Sequence, residues 1–266
     1  MTDADGRGRQ PGNLGAARLA TFGARIIGAA TGSLSSRFRP HRHAPDGGAH
    51  VAEFGRRAAA IRGAQRAQTV DDVRALRRRY LSPIFGRVRV WEMIEKLGMC
   101  VDPSDEFLRL TSQYLHVQQV LEAMEHDGVQ EKNLFLVALL HDIGKVMLQA
   151  HAAPEHVVGM LTPVEEPAEG VGLANVVLQF GHDEFAYSRL KDEVPEQVAW
   201  TIRYHSAMAD DLRPYCDAGD LVHLDGCLRR FQPYDLGHKS HSHLPRIDME
   251  RYRQLIEELF PRPILF

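Results

Sequence analysis

The stretch from Leu134 to Met147 reads Leu-Phe-Leu-Val-Ala-Leu-Leu-His-Asp-Ile-Gly-Lys-Val-Met and holds no polar residue before the adjacent pair His141-Asp142. A helix that is apolar on every side must lie inside other helices, not on a surface. The run therefore sets the core element, predicted over residues 131–147, and it carries two ionisable groups into that core. Burying both is expensive unless they pair or bind a metal. Imidazole and carboxylate together suit Fe, Mn, Zn or Mg, and the two oxygens of a carboxylate let such a pair serve one metal or two. Lys145 follows one turn later on the same helix face, placed to neutralise or hydrogen-bond a bound oxygen ligand.

Helical periodicity dominates the rest of the chain from Thr69 onward. A helix starts at Asp71 or Asp72, with Val73, Leu76, Tyr80 and Leu81 inward and a solvated arginine face. Val90–Leu97 is another, stopped by Gly98, and Asp102-Pro-Ser-Asp105 is a turn. Ser112–Glu125 is a helix with His116 on the face of Val120 and Ala123, broken by Gly128. Further helices are predicted at about 173–190, 195–207, 218–231 and 248–259, with Pro163–Gly172 as a lid-like loop and a polar loop from Gly237 to Pro245. No segment alternates like a strand, so the fold class is an all-α bundle.

The 266 residues suffice for one sizeable core plus a tail. Residues 1–55, rich in Gly, Ala, Ser and Arg, are expected to be a poorly ordered tail, and 56–266 the catalytic domain. Leu14–Ala30 loosely resembles a transit peptide, but Asp3 and Asp5 oppose that reading. A formal charge of −3 supplies no field toward nucleic acid or a membrane, and no apolar stretch is read as reaching the roughly 20 residues of a membrane span. The unpaired spacing of Cys100, Cys216 and Cys227 fits a reducing cytoplasm. A monomer is expected.

A lone inward histidine such as His116 is more often a hydrogen-bonded core residue than a ligand. His182, His205 and Asp235 each admit a surface or capping role. Taken together with His141 and Asp142 they make four imidazoles and two carboxylates from five segments, more than one metal requires. That count points to two metals sharing Asp142, about 3.5–4 Å apart. The tail histidines His41, His43 and His50, the cluster His238, His241 and His243, and His126, His151, His156 and His223 have no convergent partners and are set aside.

The order His116, His141-Asp142 with Lys145, then Asp235 resembles the HD-domain superfamily. The segments Asp102-Pro-Ser-Asp105, Leu-Leu-His141-Asp142-Ile-Gly-Lys145-Val, Gly181-His182-Asp183-Glu184-Phe-Ala-Tyr187, Ile202-Arg203-Tyr204-His205-Ser206 and Tyr234-Asp235-Leu-Gly-His-Lys239 follow the order of the myo-inositol oxygenase family. The resemblance covers about residues 68–266. It implies an HD-type helical bundle and a mixed-valent Fe(II)/Fe(III) centre acting with dioxygen. One iron would take His116, His141, Asp142 and Asp235, and the other His182, His205 and the shared Asp142. Lys145 and Asp142 would be catalytic, and Asp102, Asp105, Lys145, Ser206 and Lys239 would bind a cyclic polyol, with C–C cleavage of myo-inositol giving D-glucuronate.

Three departures bear on the substrate. The chain between Gly159 and Gly181 is shorter than in that family. Met160 occupies the place of an acidic substrate contact, and no arginine before Gln68 matches the one expected over the substrate. The alternatives are therefore a diiron oxygenase acting on a hydroxyphosphonate, an HD-type phosphohydrolase using Mn or Mg, and a degenerate HD domain serving as a binding module.

Overall fold

Because the central apolar helix has no polar face, the other helices must surround it, and this is the arrangement in the computed structural model, which describes residues 47–105, 111–159 and 161–266. In chain order the helices are α1 (Gly47–Arg66), α2 (Val70–Arg79), α3 (Val90–Lys96), α4 (Gln113–His126), α5 (Lys132–Leu140), α6 (His182–Leu190), α7 (Glu196–Tyr204), α8 (Ala209–Leu212), α9 (Ala218–His223), α10 (Arg229–Gly237) and α11 (Met249–Leu259). α5 packs against α4, α7 and α10, and Leu136 to Leu140 are fully enclosed. Each such side chain removed from water contributes about 1.5–3 kcal/mol. The all-α expectation holds. Among the described residues, extended structure is limited to the two-residue pair β1 (Arg87–Val88) with β2 (Ile264–Leu265) and an isolated Pro163–Leu178 bridge.

The core run differs from the prediction in two ways. Lys132–Ala150 is long and apolar enough to cross a membrane by length and composition, which corrects the expectation that no stretch reaches that size; 78% of it is buried within the fold, as a core helix. It is also not one α-helix. α5 stops at Leu140, and Ile143–Ala150 continues as a tighter 3₁₀ helix, with Lys145 N–H donating to Asp142 O at 2.9 Å. In a continuous α-helix, adjacent side chains diverge by about 100°. The break at His141-Asp142 lets both face one centre.

Gly144 makes the break possible. A Cβ on it would lie 2.1 Å from the carbonyl oxygen of His182, so only glycine lets the turn approach the start of α6.

α1 begins at Gly47, inside the 1–55 stretch assigned to the tail; residues 1–46 lie outside the described residues. The helix is anchored toward the site by two buried amides. Gln65 Nε2 donates to Val158 O at 2.6 Å, while just beyond the helix Gln68 accepts from Phe180 N–H at 2.7 Å and donates to Phe180 O at 3.2 Å. α2 starts one residue earlier than predicted, because Thr69 and Asp72 close a reciprocal capping box that makes Asp72 the third helical residue.

The predicted helix over 173–190 is confined to α6 from His182. Before it, Leu173–Asn175 makes a single 3₁₀ turn and residues 176–181 are non-helical, with Gln179 N–H donating to Thr162 O at 3.2 Å. The lid-like loop is held down: Gly170 N–H donates to Pro214 O, Gly172 N–H to Tyr215 O, and Leu173 N–H to Asp220 Oδ2. The apolar residues flanking it, Leu161, Leu173, Val176 and Leu178, join a second core cluster with Trp200, Tyr204 and Leu224.

The predicted helix 218–231 runs on to Gly237 through a π-helical turn at Leu224–Leu228 and past Pro233. A proline removes one backbone donor, and the fully buried Phe231 holds the helix through that loss. Asp235 therefore lies in the last turn of α10, which packs on α4.

Candidate metal centre

Six side chains from five segments meet among these helices. α4 brings His116, the end of α5 brings His141 and Asp142, the first turn of α6 brings His182, the residue after α7 is His205, and α10 brings Asp235. All are buried, and they form three interlocking groups whose donor atoms lie within 4.8 Å of one another: His116, His141 and Asp142; His141, His205 and Asp235; Asp142, His182 and His205. His126, His151, His156, His223, His238, His241 and His243 are outside these groups. His41 and His43 lie outside the described residues, as does Met160.

Asp142 stands between two donor sets. Its Oδ1 is 3.0 Å from His182 Nε2 and 3.6 Å from His205 Nε2, and its Oδ2 is 3.4 Å from His141 Nε2. Asp235 Oδ1 lies 2.9 Å from His116 Nε2 and 3.8 Å from His141 Nε2. Three of the imidazoles are oriented by backbone: His141 Nδ1 donates to Ala138 O at 3.0 Å, His182 Nδ1 to Val157 O at 2.7 Å, and His205 Nδ1 to Ile202 O at 2.8 Å. That fixes Nδ1 as the outward donor and turns Nε2 inward, the arrangement that metal-bound histidines adopt.

The donor set fits cations. His141 Nε2 is buried with no hydrogen-bond partner among the described residues. The Nε2 atoms of His182 and His205 face each other at 3.3 Å, a contact that needs a proton or a cation between two lone pairs. Burial favours neutral His205, but the carboxylates of Asp183 and Asp142 outweigh it and push its pKa up to about 10. A metal ion arriving there would replace that proton, so loading releases protons.

The carboxylates are held charged. Burial opposes ionisation of Asp142, yet the Lys145 ammonium and the His141 ring hold it well below the usual carboxylate range. Asp235 is lowered in the same way, against burial, chiefly by Lys239 and its bond to His116. Burial alone would lower the lysines; the carboxylates of Asp142, Asp102 and Asp105 raise Lys145, and Asp105 and Asp235 raise Lys239, so both stay cationic.

The residues expected to bind substrate flank this cluster. Lys145 Nζ is 3.0 Å from Asp142 Oδ2 and 3.1 Å from Asp102 Oδ2, and Lys239 Nζ is 3.1 Å from Asp105 Oδ2. Ser206 Oγ donates to Asp183 Oδ1 at 2.7 Å and lies 3.2 Å from His205 Nε2. No arginine counterpart before Gln68 was legible in sequence, but α1 does bring Arg62, whose Nη1 donates to Ser104 O at 2.6 Å within the Asp102–Asp105 turn.

Sequence reasoning missed three supporting side chains. Asp183, fully buried, lies 3.0 Å from His205 Nδ1 and 3.6 Å from His182 Nδ1 through its two oxygens. Gln232 donates to His205 O at 3.2 Å and Ala207 O at 2.6 Å, steadying the turn after α7. Gln119 of α4 fastens the loop carrying Lys239, donating to Ser240 O at 2.6 Å and His243 O at 2.8 Å. The available signal was position: Asp183 follows a candidate ligand, and Gln119 sits one turn after His116.

Asp183→Asn keeps the shape but removes the charge facing both rings. Metal titration is expected to show roughly 10–100-fold weaker binding at one of two sites, as loss of such outer partners typically gives. Unchanged affinity at both sites would remove Asp183 from the centre.

The family model for myo-inositol oxygenase matches residues 56–165 and 162–266. Among curated relatives, the probable inositol oxygenase of Oryza sativa subsp. japonica is 33% identical over 241 residues, covering 73% of this chain and 75% of the relative. Inositol oxygenase 4 of Arabidopsis thaliana is 32% identical, covering 73% of each. The inositol oxygenase of Sus scrofa is 28% identical over 233 residues, with 73% and 82% covered. With the family model spanning nearly all of the described helices, and these relatives matching over most of both chains, the chain belongs to the myo-inositol oxygenase family and is an oxygenase.

Proposed function

We propose that this chain is a non-haem diiron oxygenase of HD type that uses dioxygen to cleave a C–C bond of a cyclic polyol, myo-inositol, to give D-glucuronate. One observation carries the two-metal reading: the oxygens of Asp142 face His182 and His141 at 3.0 and 3.4 Å on its two sides, as a bridging carboxylate requires. One iron would be held by His116, His141, Asp142 and Asp235, and the other by His182, His205 and Asp142. In a mixed-valent pair, Fe(III) would acidify a chelated hydroxyl and Fe(II) would supply an electron to dioxygen.

The chain's own groups do the rest. The Lys145 ammonium, beside the shared carboxylate, sets a fixed positive charge next to a substrate oxygen and stabilises negative charge on it. Lys239, held by Asp105, provides a second cation toward the ring hydroxyls, and Ser206 a hydroxyl next to His205. Lys145 is buried and Lys239 and Ser206 are only partly exposed, which limits competition from bulk water. Three buried free cysteines accord with a reducing, cytoplasmic setting, and the working unit is taken as a monomer.

Anaerobic reconstitution with Fe(II) followed by oxygen uptake tests the reading. Uptake with myo-inositol and formation of glucuronate are expected, with about two irons per chain. Uptake only with hydroxyphosphonates would keep the oxygenase and change its substrate. Mn-supported phosphate release without oxygen consumption would replace the reading with a hydrolase.

A further inference from the structure

Lys145, the ammonium assigned to the substrate oxygen, has no proton to spare. An ammonium has three donors. Its acceptors are Asp142 Oδ2 at 3.0 Å, Asp102 Oδ2 at 3.1 Å and the side-chain oxygen of Gln113 at 3.0 Å. Gln113 opens α4 one turn before His116, is 0% exposed, and is pinned by its backbone N–H to Cys100 O at 2.9 Å. Because the lysine only donates, it must face the amide oxygen, and this fixes which way round the amide lies.

The amide nitrogen is then directed away from the ammonium but remains beside it, since both heteroatoms share one carbon. Gln113 Nε2 is buried with no hydrogen-bond partner among the described residues. An uncommitted buried donor is unfavourable unless an acceptor arrives. Next to Lys145 and the shared carboxylate, the arriving acceptor is the substrate.

We propose that Gln113 is a substrate-contacting residue, whose amide N–H donates to a ring oxygen of the bound polyol while its carbonyl holds Lys145 in place. This rests on the oxygenase reading above. It assigns the site a neutral donor in addition to its two cations, a group that favours a hydroxyl oxygen and gives a polyhydroxylated ring one more fixed point. A residue whose task was only to orient Lys145 would need the carbonyl alone.

The two roles separate on substitution. Gln113→Leu removes donor and acceptor; Gln113→Glu keeps an acceptor on Lys145 and replaces the donor with a second acceptor. The full chain, loaded anaerobically with Fe(II), is titrated with myo-inositol by calorimetry in the absence of oxygen, and KM and kcat are then read from oxygen uptake. Both variants are expected to bind myo-inositol about tenfold or more weakly with a matching rise in KM and unchanged iron content; Gln113→Glu, which still holds Lys145, keeps kcat within about threefold, whereas Gln113→Leu, which releases it, also lowers kcat. A Gln113→Glu variant that binds like the wild type would reduce Gln113 to a support for Lys145 and overturn the inference alone. A wild-type enzyme that neither binds nor oxidises myo-inositol would overturn the functional reading and this inference with it.

Discussion

Asp142→Asn is expected to empty the centre of both metals and reduce oxygen uptake by about a thousandfold or more. The substitution conserves volume, so the loss is one of charge and donor pattern. Asp142 is 2% exposed, and its two oxygens face His182, His205, His141 and Lys145. An amide offers one acceptor and one donor in place of two acceptors. Whichever way it turns, an N–H2 group points either at the Lys145 ammonium or toward the inward nitrogens of His182 and His205. One metal then loses its carboxylate and the other gains a donor where it needs a lone pair.

The metal-free protein should also be weakened, because Lys145 keeps Asp102 but loses the carboxylate 3.0 Å away. Breaking a buried ion pair typically costs about 3–5 kcal/mol. For a domain of this size that corresponds to a fall in Tm of roughly 6–20 °C. Metal analysis and thermal unfolding of the chelated variant check the two halves separately. Near-full occupancy of both sites in Asp142→Asn would rule out the shared carboxylate.

What could be read from sequence follows from how local each signal is. His141-Asp142 announces itself because two ionisable groups at the end of an uninterrupted apolar run have no bland explanation. His182, His205 and Asp235 were legible only as a set, since each alone reads as a capping or surface residue. The break after Leu140 was not legible: its cause is the approach of Gly144 to the His182 backbone, a contact 38 positions away in the chain that leaves the apolar pattern unbroken. Asp183 was hidden because acids in the first turn of a helix are ordinary. The helix predicted at 218–231 stops short of Asp235, whereas the chain stays helical past Pro233 to Gly237. The Pro163–Gly172 segment had the composition of a mobile loop, while the hydrogen bonds that hold it come from residues 214, 215 and 220.

Gly144→Ala is the complementary test, since it leaves every donor in place and changes only the backbone approach. The added methyl would meet His182 O at 2.1 Å, His182 C at 2.8 Å and His182 Cα at 3.1 Å, all main-chain atoms. The His182 segment has little room to retreat, because a Cβ on the preceding Gly181 would already lie 2.2 Å from Val158 O. Either the 3₁₀ turn carrying Lys145 or the start of α6 carrying His182 must move. The expected loss is about 3 kcal/mol, read as a fall in Tm of roughly 6–12 °C, together with loss of the metal held through His182. Gly63→Ala in α1 is the control: nothing lies within 4 Å of its added Cβ, and relief of helical glycine should stabilise the protein by about 0.5–1 kcal/mol. Opposite signs for the same chemical change would locate the effect in the Gly144–His182 contact. A Gly144→Ala protein that melts with the wild type and holds both metals would show that the 3₁₀ turn can yield without disturbing His182, and that the break after Leu140 is not what aims the centre.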